Sequence, residues 1–156
     1  MIAVLFVCLG NICRSPAAEH MLVHLNKSRN NPLELHVESC GIGSWHVGHL
    51  PCEEMRIAAE NRGVSVVGLA KQFQPDHFYN FDYIFTADKN IQLELLNVAG
   101  TLEQRGKVHL FTEYSQLYHR QDVPDPFALS GDAFEIALDM IEESCEGILD
   151  HLSQRP

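Results

Sequence analysis

At 156 residues, 46% hydrophobic and 21% charged, the chain has the make-up of one ordinary globular domain, residues 1–156, which excludes a disordered or fibrous protein. Its formal net charge of −10 opposes binding to nucleic acid or anionic lipid, so any phosphate must be held by a local feature. The five cysteines are scattered, odd in number and without a CxxC pair, which argues against a disulfide scaffold or a structural zinc site and for a reducing, cytoplasmic setting.

The apolar start, Met1 to Val7, lacks a basic leader and is too short for a membrane span or a secretory signal. Ile2 to Val7 is an unbroken apolar run, the pattern of a central strand covered on both faces of a parallel sheet. After a loop, Ser15-Pro16 reads as an N-cap with proline at the first helical position, opening a helix to about Asn26. Leu35 to Ser39 alternates as a less covered strand, and the glycines of Gly41 to Gly48 mark a loop. A helix from Cys52 to Arg62 stops at Gly63. Phe81 to Ala87 is the third strand, Asn90 to Ala99 a helix and Lys107 to Phe111 the fourth strand. From Asp132 onward, Phe134, Leu138, Ile141, Cys145, Ile148 and Leu152 fall at helical spacing on one long terminal helix. The alternation predicts an α/β fold: a four-stranded, open parallel sheet between helices, in three layers, with its ligand site beyond the carboxyl ends of the strands.

Cys8-Leu9-Gly10-Asn11-Ile12-Cys13-Arg14-Ser15 lies at that edge, between the first strand and the first helix. A helix N-terminus offers unpaired amides and partial positive charge, and a loop curled about a point can aim its own amides inward. Gly10 relieves the curl, Asn11 tolerates a left-handed backbone, and Arg14 supplies a planar fork for two phosphate oxygens. In that positive field Cys8 favours thiolate over thiol and becomes a nucleophile aimed at phosphorus. The Ser15 hydroxyl either caps the helix or donates to that thiolate. Taken singly, Cys8 reads as a small buried hydrophobe and Arg14 as half of a surface ion pair. Their occurrence together with the Gly-Asn curl and Ser-Pro pair favours the phosphate cradle.

Val7 to Glu19 resembles the signature loop of the low-molecular-weight protein tyrosine phosphatases, and Val123-Pro124-Asp125-Pro126-Phe127 is similar to that family's second mark. The likeness continues through Ser39-Cys40-Gly41, Trp45-His46-Val47-Gly48 and Phe81 to Asp88. It implies hydrolysis of phosphotyrosine and small aryl phosphates in two steps. Cys8 is the nucleophile, Arg14 binds phosphate, and Asp125 is general acid and then base. On spacing alone Asp88, Asp122 and Asp132 are rival acids. By the same resemblance Leu9, Gly10, Asn11, Ile12, Cys13 and Ser15 surround the phosphate, Ser39 supports the loop through Asn11, and Trp45 and Phe127 line the pocket mouth. No cofactor or metal is implied. The implied partners are a phosphotyrosine protein or peptide and product phosphate. In this family the positions of Cys8 and Cys13 can pair as a reversible disulfide, while Cys40, Cys52 and Cys145 read as structural or incidental.

The chain departs from the family pattern at Gly68, Lys71, Ala87 and Ala128, and the Cys52-Glu53-Glu54 run adds acidic charge near the Trp45 loop. Protein arginine phosphatases share the fold, with threonine common where Ile12 stands. Thioredoxin-coupled arsenate reductases share the loop but need a later cysteine pair. A catalytically silent phosphate-binding module is the alternative from another class.

Overall fold

The computed structural model describes residues 1–129 and 132–154. Four strands form one parallel sheet in the order β2-β1-β3-β4: β1 Ile2–Cys8, β2 Leu35–Gly41, β3 Tyr83–Thr86 and β4 Val108–Leu110. Among the described residues six α-helices flank it: α1 Arg14–Lys27, α2 Glu53–Glu60, α3 His77–Asn80, α4 Lys89–Val98, α5 Leu102–Gly106 and α6 Ala133–Ser153. None of them is long and apolar enough to cross a membrane.

The apolar run of β1 has no accessible surface from Val4 to Val7, as a strand paired on both edges and covered on both faces requires. Phe6 stacks on Phe85 of β3 at 5.6 Å and meets the edge of Phe111 at 5.2 Å, so the aromatic centre of the core sits beneath the end of β1. Helix α1 packs on β1 and β2, α6 packs along α1, and α4 lies beside β3 and β4. Arg62, just beyond α2, reaches Glu135 and Asp139 of α6 at 2.8 Å each.

The strand order reverses at β1. The chain leaves β1 for β2 on one side, then returns to β3 on the other. The loops after β1 and β3 therefore part at this switch point and leave a crevice at the carboxyl edge of the sheet, the place an open α/β sheet offers a ligand.

Three expectations need correction. Ser15 is not the cap of α1: Cys13 occupies that position without a side-chain cap, and the Ser15 hydroxyl turns toward Cys8. The third strand is shorter than Phe81–Ala87 because those flanking residues, 3% and 1% exposed, are apolar for burial outside the ladder. Helix α2 ends at Glu60, and the chain turns through Asn61–Gly63 with Gly63 at a φ of 81°.

Candidate active site

The loop from Leu9 to Cys13 wraps the end of β1 around Cys8, whose side chain is 3% exposed. Asn11 takes a φ of 59°, the left-handed turn that brings its own amide back to Cys8 Sγ at 3.3 Å. Ser15 Oγ lies 2.9 Å from the same sulfur and also accepts from Asn11 Nδ2 at 2.8 Å. The single hydroxyl proton has two acceptors within reach, the Cys40 carbonyl at 3.3 Å and Cys8 Sγ at the shorter 2.9 Å. Both neighbours of Sγ, the Asn11 amide and the Ser15 hydroxyl, are thus groups able to donate to it.

Asn11 also fixes the loop from below. Its Nδ2 donates to Ser39 Oγ at 3.0 Å, its Oδ1 accepts the Lys71 amide at 2.9 Å, and Ser39 Oγ in turn donates to Glu19 at 2.6 Å. From the side, the segment after β2 adds backbone hydrogen bonds, Ile42 N to Cys8 O at 3.0 Å and Gly43 N to Leu9 O at 2.9 Å. Gly41 permits this approach: a Cβ there would stand 2.9 Å from the backbone of Leu9, Gly10 and Asn11. Among the described residues, the amides of Gly10, Ile12 and Cys13 donate to no protein group. They lie in the wall of a pocket that also holds Cys8, Arg14, Trp45, His46, Asp125 and Phe127.

Arg14 is 4% exposed, and its Nη1 is held twice, by Asp88 Oδ2 and by the Val123 carbonyl, both at 2.8 Å. Nε and Nη2 make no hydrogen bond to another described residue, which leaves a donor edge for two oxygens of an anion. The ion pair with Asp88 crosses the switch point between the loops after β1 and β3.

The rival carboxylates are now separated by what they touch. Asp88 caps α4, accepting the Ile91 amide at 2.9 Å while it pairs with Arg14. Asp122 accepts the Lys89 amide at 3.0 Å, and Asp132 is the exposed residue before α6. Asp125, half-buried, lies in the same pocket as Cys8 and accepts the Phe127 amide at 3.1 Å at the start of the 3-10 turn Pro126–Ala128. Trp45 and Phe127 are 66% and 53% exposed at the mouth, and Phe127 is braced edge-on by Phe134 at 5.4 Å.

Two features escape the sequence reading. His46 also lines the pocket and lies over Gly10, where an added Cβ would stand 2.7 Å from its ring. Cys13 does not stand alone: its Sγ is 2.6 Å from that of Cys52, immediately before α2.

The low molecular weight phosphotyrosine protein phosphatase family model matches residues 3–155, and the chain belongs to that family. It is 40% identical over 136 residues to the low molecular weight phosphotyrosine protein phosphatase of Schizosaccharomyces pombe, a match covering 85% of each chain. Its fold is similar to the crystal structure of a protein tyrosine phosphatase from Entamoeba histolytica, at a TM-score of 0.92 and 30% identity, covering 99% of this chain and 98% of that one. It is also similar to a drosophila arginine phosphatase, at a TM-score of 0.87 and 35% identity, covering 98% and 99% of the two chains.

Proposed function

We propose that the protein hydrolyses phosphotyrosine in proteins or peptides, together with small aryl phosphates, through a phosphocysteine on Cys8. The supporting observation is the ring itself: loop amides without protein partners and the open edge of Arg14 surround one buried sulfur. Such a ring matches a phosphate dianion and gains strength as charge builds on its equatorial oxygens. Leu9 and Ile12 complete the wall of the cradle.

The Cys8 thiolate attacks phosphorus, the phosphorus–oxygen ester bond breaks, and Asp125 gives its proton to the departing phenoxide. Asp125, now a carboxylate, takes a proton from the water that attacks the phosphocysteine. Phosphate leaves and the sulfur regains its electron pair, with the Ser15 hydroxyl as its hydrogen-bond donor. Trp45 and Phe127 supply the flat walls that hold a phenyl ring while its phosphate reaches the buried sulfur.

Hydrolysis of an aryl phosphate near neutral pH tests the reading. Activity is expected to withstand a chelator and to be blocked by vanadate, and Cys8→Ser is expected to bind phosphate without turnover. A Cys8→Ser variant that still turns over at the parent rate would overturn it. The 35% identity to a named arginine phosphatase supports a second reading, phosphoarginine hydrolysis. Paired peptides carrying phosphotyrosine or phosphoarginine separate the two, with the first expected to be cleaved faster because Ile12 and the aromatic walls favour an apolar ring.

A further inference from the structure

Beyond its place in the phosphate-binding loop, Cys13 has a second neighbour that hydrolysis does not use. Its sulfur faces that of Cys52 at 2.6 Å, across 39 residues of sequence, and the Cys52 amide donates to Ile12 O at 2.8 Å, so loop and helix start are already tied at this point. Cys8 is directed elsewhere, into the bonds with Ser15 and the Asn11 amide. Cys13 is buried and Cys52 half-buried, so a small oxidant reaches the pair from the Cys52 side.

We propose that Cys13 and Cys52 form a redox couple, closing to a disulfide beside the phosphate-binding loop and leaving Cys8 a free sulfur. The two thiols are not equivalent. The Cys13 hydrogen bond, followed by backbone donation at Met55, holds the Cys52 thiol below its ordinary range despite partial burial. The bond to Cys52, then burial, pushes Cys13 up. Cys52, half-buried at the start of α2, is therefore the sulfur that ionises more readily, and buried Cys13 the one that holds its proton more tightly.

With hydrogen peroxide as the two-electron oxidant, the Cys52 thiolate attacks one peroxide oxygen. The oxygen–oxygen bond breaks, hydroxide leaves and takes up a proton from solvent, and Cys52 becomes a sulfenic acid. Cys13 then attacks the Cys52 sulfur, the sulfur–oxygen bond breaks, and the departing hydroxide leaves as water with the Cys13 proton. In sum, two thiols and one peroxide give one disulfide and two waters, and an external dithiol reverses the change. The gap is short and the backbone tie is in place, so closure needs little movement of the loop. The geometry also occupies Cys13, the sulfur nearest in sequence for pairing with the nucleophile.

The test treats the full chain with one equivalent of hydrogen peroxide, alkylates it, digests it without reduction and maps the linked peptides by mass spectrometry. The expected product joins Cys13 to Cys52, with Cys8 recovered alkylated and aryl phosphate turnover retained. In Cys52→Ser that link cannot form, and inactivation by peroxide is expected to become several-fold faster. A Cys8–Cys13 link as the main product of the parent protein, or no link at a dose that inactivates it, would overturn the couple. So would equal inactivation rates for parent and Cys52→Ser. The peptide map needs no enzymatic activity, so it stands or falls apart from the phosphatase reading.

Discussion

Replacing Asn11 separates what its backbone does from what its side chain does. The side chain makes three hydrogen bonds, at 2.8 Å to Ser15, 3.0 Å to Ser39 and 2.9 Å from the Lys71 amide. At a net contribution of about 1 kcal/mol each, their loss costs about 3 kcal/mol. Asn11→Ala also forces a Cβ-bearing residue without a local hydrogen bond to hold a φ of 59°, adding ~1–2 kcal/mol. Asn11→Gly avoids that strain and adds only the smaller entropy cost of glycine, about 0.5–1 kcal/mol. Urea unfolding is therefore expected to place the alanine variant about 4–5 kcal/mol below the parent and the glycine variant less far below it. Vanadate affinity, read by inhibition of aryl phosphate hydrolysis, is expected to fall in the same order, because the amide ring loses its foundation. Equal stability of the alanine and glycine variants would refute the left-handed turn as a source of strain. An alanine variant within about 1 kcal/mol of the parent would refute the network as a foundation.

Asp125→Ala is expected to slow turnover roughly 10²- to 10⁴-fold, least for substrates with acidic leaving groups, since general acid catalysis contributes about that much. An equal loss across a series of substituted phenyl phosphates counts against the assignment. Arg14→Lys is expected to abolish most activity, because one ammonium cannot both keep the Asp88 and Val123 contacts and offer a second pair of donors; steady-state kinetics with near-parent rates would contradict the fork. Burial holds His109 and His77 below the usual histidine range. The unfolded chain then binds protons more readily, so stability is complete above about pH 6.5 and falls as the pH drops through that value. Thermal melts from pH 8 to pH 5 read the slope, and His109→Phe, seated between Phe85 and Tyr114, is expected to flatten part of it.

The site was legible wherever local sequence dictates local conformation. The apolar run of β1, the left-handed Asn11 and the position of the loop at the sheet edge follow from residue type and order. Ser15 was ambiguous because the cap pattern is local, whereas its preferred partner, a sulfur seven residues back, is supplied by the fold. Asp88 reads in sequence only as a rival acid, whereas the fold makes it the cap of α4 and turns its second oxygen to Arg14, 74 residues away. Cys52 reads in sequence as structural or incidental, since its neighbour Cys13 is supplied only by the packing of the α2 start against the loop. Strand ends misled for a related reason: Phe81 is buried against His36 of β2 and His77 of α3 without joining the ladder, so burial alone does not mark a strand residue.

Arg14, the proposed anion holder, also grips the main chain two residues ahead of Asp125, the proposed proton donor, through the Val123 carbonyl. Val123 is itself anchored to β3's exit by its amide on Ala87 O at 2.8 Å. Arg14 and the Asp125 segment are thereby mechanically geared, so slackening one unsettles the other. Damage at Arg14 and at Asp125 should then overlap in a double-mutant cycle, the pair losing less together than the product of their separate losses.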